Sequence, residues 1–257
     1  MDVIELKRHQ LSHSQRHPWE IVRAKIIIFL LGKYNVQSPK RILEIGSGDA
    51  FISNQLSAIF KTASIHAVDT AYTEEIIRTL QKNSSYPISF YNKLSDFSTN
   101  NQPADLIVLA DVLEHIENDR GFFESAIHEK VSTPNATLMV TVPAFQSLFS
   151  QHDRQLNHFR RYNRRQLTSV CTTSGVHALA SGYFFFSLFI VRWLSVHFQK
   201  STSYTTRSID NWRGGKLVTN FISFILWMDF KVCFILSRLG ITLPGLSCYC
   251  LCRKSPS

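Results

Sequence analysis

The apolar positions of this chain fall into short runs, each followed by a stretch of helical spacing. Ile42, Leu43 and Ile45 form the first run, ahead of a turn of small residues at 46–50. Helical spacing comes next, then a second run at Ile65, Ala67 and Val68 that ends in Asp69. Residues 88–91, 106–109 and 137–142 give three further strand candidates, the last stopped by Pro143. Short continuous apolar runs suit strands buried on both faces. Helical stretches are predicted over 19–31 and 112–130, and the Asn-rich segment 95–103 is expected to be an irregular loop. Strands alternating with helical patterns over 41–180 predict an α/β fold built on a parallel sheet.

Beyond this region the pattern changes. Residues 178–191 are apolar and aromatic until Arg192 interrupts them. A second apolar run, 217–228, is broken by Asp229 and Lys231 and resumes over 232–236. Neither reaches the roughly eighteen uncharged residues of a spanning helix, so both are read as buried or interfacial segments. The polar stretch 200–216, with Gly214-Gly215, predicts a linker between them. The chain therefore divides into an N-terminal helical lid or cap (1–38), a ligand-binding α/β domain (39–180) and an apolar, basic C-terminal segment (181–257) that faces a membrane or caps a substrate.

Charge sharpens this division. The net charge is +9, but residues 1–152 carry 14 Lys/Arg against 16 Asp/Glu, and residues 153–257 carry 14 against 3. A basic half suggests an anionic partner, either membrane or nucleic acid. Apolar runs bordered by Arg192, Lys200, Arg207, Arg213, Lys216, Lys231 and Arg238 suit peripheral contact with an anionic bilayer. Five cysteines, three of them alternating at 248, 250 and 252, form neither a disulfide framework nor a zinc spacing. They read as reduced thiols of a cytoplasmic protein, located at most peripherally at the inner face of the membrane, and no metal site is expected. No signal peptide is apparent, because no apolar core directly follows the first basic residues.

The turn after the first strand carries the chemistry. Glu44, Gly46 and Gly48 stand in the sequence E-I-G-S-G, with Asp49 beyond. Glycines at these positions let the backbone turn tightly and approach a ligand. A dinucleotide fingerprint would place a third glycine where Phe51 stands, and would receive a pyrophosphate. Carboxylates flanking the turn repel phosphate and attract a cation. S-adenosylmethionine (SAM), with its sulfonium, ammonium and ribose, fits this charge better than NAD or ATP. Asp69, at the end of the second strand, stands where a carboxylate accepts hydrogen bonds from ribose hydroxyls.

The chain resembles the class I SAM-dependent methyltransferases of the broad type 11/12 kind. The resemblance rests on E-I-G-S-G, on Val68-Asp69 and on D-V-L-E-H at 111–115. The segment H-D-R-Q-L-N-H-F-R-R-Y-N-R-R-Q-L at 152–167 and L-P-G-L-S at 243–247 resemble a narrower bacterial subgroup. The resemblance implies a Rossmann-like, doubly wound, mostly parallel seven-stranded sheet with an apolar helical C-terminal appendage. It implies Glu44, Gly46, Gly48, Asp69 and Asp111 as cofactor residues, and Asp96 as a contact for the adenine amine. The subgroup opens with a helix that closes over the cofactor. Here Trp19 and Arg23 match it, whereas Pro18 and Glu20 do not. A lid that brings Trp19 to the acceptor and a plain first helix on the sheet edge both remain open.

Methyl transfer from a sulfonium requires alignment of the acceptor, exclusion of water and, for a hydroxyl acceptor, a route for its proton. His115, His152 and His158 are the candidate bases, since the last two lie beyond the strand that ends near Pro143. Arg160, Arg161 and Tyr162 are candidates to hold the acceptor head; the alternative is a set of packing contacts with Arg161 paired to Asp153. The expected acceptor is a small or lipid-linked molecule with an apolar tail, of prenyl, polyene or glycolipid type. The basic segment 160–165 keeps a nucleic-acid methyltransferase as an alternative, although no N-P-P-Y or Pro-Cys motif supports it. A non-catalytic SAM-binding relative is a further alternative. Oligomeric state is not legible.

Overall fold

A computed structural model of the chain describes residues 16–173, 175–198, 212 and 214–256. Helix α1 (Pro18–Lys33) begins with proline at its first position, where a missing N–H costs nothing. The His17 ring accepts the Trp19 N–H at 3.3 Å. Strand β1 (Arg41–Ile45) starts where Asp105 accepts the Lys40 and Arg41 N–H groups at 2.7 and 2.9 Å. Then follow α2 (Phe51–Ile59), β2 (Ser64–Val68), α3 (Glu74–Asn83), β3 (Ile88–Tyr91), α4 (Leu94–Asn100) and β4 (Ala104–Ala110). Helix α4 occupies the segment expected to be an irregular loop. The predicted helix over 112–130 is two pieces, a 3-10 turn at Leu113–His115 and α5 (Asp119–Ala126). The break falls at Asn118, whose side chain accepts the Gly121 N–H and starts a new helix.

The second half contains β5 (Ser132–Pro143), a 3-10 turn at Gln146–Leu148, α6 (Gln151–Gln155), α7 (Arg164–Cys171), β6 (Val176–Phe184), α8 (Phe186–Phe198), α9 (Lys216–Arg238) and β7 (Ser247–Lys254). The seven strands form one sheet in the order β3-β2-β1-β4-β5-β7-β6. All neighbours up to β5 are parallel, and β7 runs antiparallel to both β5 and β6. This is the doubly wound, Rossmann-like sheet the resemblance implied. The boundary drawn at 180/181 falls inside β6, and β7 inserts between β5 and β6, so the C-terminal segment supplies part of the sheet. Its alternating C-Y-C-L-C pattern is that of a strand: Cys248, Cys250 and Cys252 share one core, while Tyr249 and Leu251 share the other. Most of the linker predicted over 200–216 lies outside the described residues, as does the N-terminal part of the predicted lid.

Alternation along the strands sorts the two cores. Ile42, Leu106, Val108, Met139 and Leu251 face α1, α2, α3 and α9, whereas Leu43, Ile107, Leu109, Leu138 and Val140 face α4, α5 and α7. Helix α9 docks on α1 through an aromatic cluster in which Phe29 meets Trp227, Phe230 and Phe234 edge-on at 5.2–5.6 Å. The rest of α9 is unusual. Leu217, Phe221, Phe224, Ile225, Met228, Val232, Ile235 and Leu239 form an exposed stripe at helical spacing. The helix is long and apolar enough, by length and composition, to cross a membrane. Against the shorter runs expected from sequence, Asp229 does not end it. That carboxylate turns inward and accepts the Phe186 and Ser187 N–H groups at 2.9 and 3.0 Å, capping α8.

Gly245, in the L-P-G-L-S segment, lets the entry to β7 cross the end of β6. A Cβ there would lie 2.3 Å from the Phe184 carbonyl oxygen, a backbone atom that cannot yield cheaply. Gly245→Ala is expected to cost about 1–3 kcal/mol in urea denaturation. Gly32→Ala, near the end of α1 with nothing within 4 Å of the added carbon, is expected to be neutral or to stabilise by up to about 1 kcal/mol.

Candidate active site

Strand β1 lies between β2 and β4, so the connections from these strands leave in opposite directions and open a crevice at their carboxyl ends. The turn after β1 lines it. Gly46 has φ +71°, and a Cβ on it would meet Val112 Cγ2 at 2.5 Å, so only glycine lets the turn close against the segment after β4. Gly48 is also in the left-handed region, at φ +53°. The Gly46 and Ser47 N–H groups donate to the Val68 carbonyl at 2.8 and 3.2 Å, fastening the turn to β2. Tyr72 closes the turn from behind, donating to the Gly48 carbonyl at 2.8 Å and meeting Ser47 Oγ at 2.7 Å.

Asp69 is 9 % exposed and accepts one backbone N–H on each oxygen, from Gly48 at 2.8 Å and from Ala71 at 2.9 Å. A carboxylate has about four acceptor positions, so roughly two remain open to a ligand in the crevice. Glu44 is placed differently. It is buried and receives both the backbone N–H and the hydroxyl of Ser53, the first at 2.8 Å, which ties the start of α2 to the end of β1. Burial outweighs these bonds and pushes its pKa up to about 7. Asp96 sits half-buried in the first turn of α4, after β3.

Two arginines of the N-terminal segment meet the remaining acids. Arg16 pairs with Asp49 and Glu20 and stacks over Phe51 at 3.9 Å. Arg23 pairs with Asp111 and lies over the Trp19 ring at 4.8 Å. Asp111 also accepts the Thr141 hydroxyl at 3.2 Å. Helix α1 is thus both part of the core and a wall of the crevice, and Trp19 stands at that wall. Sequence reasoning matched Arg23 without giving it a task and missed Arg16, whose single signal is its spacing ahead of the helix.

The segment after β5 is stitched to the segment after β4. The Phe159 N–H donates to the Glu114 carbonyl at 2.7 Å, and the Tyr162 hydroxyl donates to the Leu113 carbonyl at 3.1 Å and to Asp119 at 2.8 Å. Arg160 donates to the Glu117 carbonyl at 2.7 Å and pairs with Asp119 at 2.9 Å. Arg161 Nε donates to Asp153 at 2.6 Å, inside the protein. The polar ends of Arg160, Arg161 and Tyr162, expected to hold an acceptor head, therefore have partners within the fold. Burial alone would raise the Asp153 pKa, but hydrogen bonds from His158 and Arg161 outweigh it and hold the carboxyl well below its usual range. His158 Nδ1 lies 3.1 Å from Asp153, and the His158 and His115 rings meet edge-on at 4.6 Å. His152 is half-buried on α6 beside Asp153. Glu114 completes a group with His115 and His158. It stood unassigned inside D-V-L-E-H, where nothing in the spacing shows that it turns inward.

A seven-stranded sheet of this order, with a glycine turn and an acid after β2, defines the class I nucleoside-binding methyltransferase architecture. The family described as "Methyltransferase domain" matches residues 19–214, so the chain belongs to that family and is a SAM-dependent methyltransferase. No curated protein matches it. Solved structures share the fold at low identity. The plantazolicin methyltransferase BpumL, in complex with a monoazolic desmethylPZN analog and SAH, is 13 % identical with TM-score 0.54, covering 93 % of this chain and 85 % of that one. The N-methyltransferase NodS from Bradyrhizobium japonicum WM9, in complex with S-adenosyl-L-homocysteine, is 20 % identical with TM-score 0.51, covering 68 % and 86 %. The [4+2]-cyclase SpnF is 12 % identical with TM-score 0.54, covering 91 % and 81 %. The fold alone therefore leaves the acceptor open. The residues present fit SAM: the turn has room only for glycine at 46, and Asp69 keeps free acceptor positions at the crevice.

Asp69→Ala is expected to weaken SAM binding at least tenfold, about 1.4 kcal/mol, in calorimetry; unchanged affinity would refute the ribose assignment. Glu44 binds its proton more tightly folded than unfolded, so the folded state loses stability as pH rises from about 4.5 to about 7. Burial raises Glu114 in the same direction. Glu44→Gln should therefore lessen, not abolish, the decline in melting temperature between pH 5 and 8, measured by calorimetric scans at a series of pH values.

Proposed function

We propose that this methyltransferase acts on a lipid-linked or apolar-tailed acceptor at the surface of an anionic membrane, on the cytoplasmic side. The observation that carries the reading is the apolar stripe of α9. Its residues face away from α1, and monomeric soluble proteins rarely expose contiguous apolar patches beyond a few hundred Å². Exposed Ile190, Val191, Trp193 and Leu194 on the adjoining α8 extend it. Lys216 and Arg238 bracket α9 and are exposed, as suits side chains that reach lipid headgroups. Lys231, by contrast, lies over the Phe29 ring at 4.3 Å and serves the packing on α1.

The same helices lead to the crevice. Phe184, the last residue of β6, pairs with Ser247, which pairs with Pro143 at the end of β5. Helix α8 therefore starts at the carboxyl edge of the parallel strands. Phe189 on α8 packs against Phe145 at 5.3 Å, and Arg192 donates to Ser150 beside Asp153. An acceptor whose tail lies along α8 would bring its head to His115 and His158. SAM supplies an activated methyl group when bound. The protein aligns the acceptor at the His115–His158 group and excludes water through α1 and α8. The internal engagement of Arg160 and Arg161 removes two cations from the basic segment 160–165 and weighs against nucleic acid.

Phe221→Glu, Phe224→Glu and Val232→Glu combined should leave the melting temperature within a few degrees of the parent, since these positions are exposed. They should abolish co-sedimentation with anionic vesicles. Undiminished pelleting would sink the interfacial reading. For the acceptor, lipid extract is incubated with SAM labelled in its methyl group. Label is expected in the organic phase and identified by mass spectrometry; label confined to water-soluble products would overturn the apolar-tail assignment.

A further inference from the structure

Glu114, His115 and His158 each bring one ligand atom within 4.8 Å of the others. Two come from the 3-10 turn after β4 and one from the segment after β5, and the Phe159 N–H to Glu114 carbonyl bond locks these segments together. The group is therefore formed by the fold. Glu114 is 1 % exposed, and neither of its carboxylate oxygens has a hydrogen-bond partner among the described residues. A buried acid so placed is relieved by its own proton or by a cation, and two imidazole nitrogens within ligand distance of it suit the cation. His158 Nδ1 is engaged by Asp153, which fixes the ring and leaves Nε2 as the free nitrogen. A carboxylate behind an imidazole is the usual outer partner of a metal-bound histidine.

We infer that Glu114, His115 and His158 bind one divalent transition-metal ion, of the Zn²⁺, Mn²⁺ or Fe²⁺ kind, and that this ion takes an oxygen-bearing acceptor as a further ligand. Two imidazoles and a carboxylate favour these ions over Ca²⁺ or Mg²⁺, which prefer all-oxygen sites. Three protein ligands leave positions open for water or substrate. The site adjoins the cofactor turn, because Val112, two residues before Glu114, is the residue that closes on Gly46. An acceptor hydroxyl on the ion would lose its proton to water more readily, and its oxygen would be fixed in place beside the crevice. This role rests on the methyltransferase reading and narrows the acceptor to molecules with an exposed hydroxyl or enol oxygen. The thiols of Cys171, Cys250 and Cys252 also lie within 4.8 Å of one another, but all three are sealed in the core with no open side for a substrate.

The test uses the full chain stripped with a chelator and titrated with Co²⁺, without SAM or acceptor, followed by visible absorption and calorimetry. One equivalent is expected to bind, with d–d bands and no thiolate charge-transfer band. Glu114→Gln and His158→Gln should each weaken binding at least tenfold, and Cys252→Ser should leave it intact; melting curves confirm that the variants are folded. Absence of binding, binding undiminished in both ligand variants, or thiolate bands lost in Cys252→Ser would overturn the site. Methyl transfer and SAM affinity are then measured with and without chelator. Unchanged transfer in chelator would overturn the ion's part in acceptor activation while the methyltransferase reading stands. Co²⁺ bound as expected, with no label in any lipid product, supports the site while the lipid acceptor falls.

Discussion

The placement of β1 between β2 and β4 is the constraint on which the rest of this structure depends. A parallel sheet that reverses its winding beside one strand must open a gap there, because the flanking connections depart to opposite faces. The candidate cofactor residues gather at that gap. The glycine turn lines it from β1, Asp69 from β2, and the segment of Asp111, Glu114 and His115 from β4. The contact of Gly46 with Val112 shows how closely two of these walls approach, and it explains in steric terms why glycine stands at 46.

The wall contributed after β5 has no regular structure long enough to hold itself. Asp153 does that work as a buried carboxylate that accepts from Ser150, Arg161 and His158. Breaking a buried, hydrogen-bonded ion pair by removing one partner typically costs about 3–5 kcal/mol. Such an anchor is strong enough to set the position of one imidazole, and the backbone bonds to Glu114 and Leu113 then set it against the other. Arg161 and the Tyr162 hydroxyl are engaged in this architecture, and the same side chains line a cavity with Asp119, Gln146 and Gln166.

Much of the fold was legible in the sequence because the sheet is buried on both faces, and buried parallel strands leave continuous apolar runs. The turn at 44–48 and Asp69 were legible because glycine and acid at fixed spacing have few other uses. Three features were not. Residues 178–184 read as the start of one apolar segment running to 191 because this edge strand carries apolar residues without alternation and passes straight into α8, and β6 declares itself only through its register with β7. The tasks of Glu44 and Glu114 depend on Ser53 and on two histidines, which the chain brings together in space and not in sequence. The exposure of the α9 stripe was hidden for the opposite reason: a helix apolar on all sides gives no clue to which face is covered.

Helix α1 joins these parts into one body. Arg23 on the helix and Arg16 just ahead of it answer the negative charge of the crevice, and through Phe29 the helix receives α9. Its apolar residues Val22, Ile26, Ile27 and Leu30 meanwhile form part of the core over the sheet. A helix bound on one side by charge and on another by aromatic packing cannot shift toward one partner without loosening the other. On the proposed reading, a bilayer under the stripe of α9 would hold the crevice at a fixed height and tilt above the headgroups. Docking of the acceptor would then also orient it toward the methyl donor, and orientation is what in-line displacement requires.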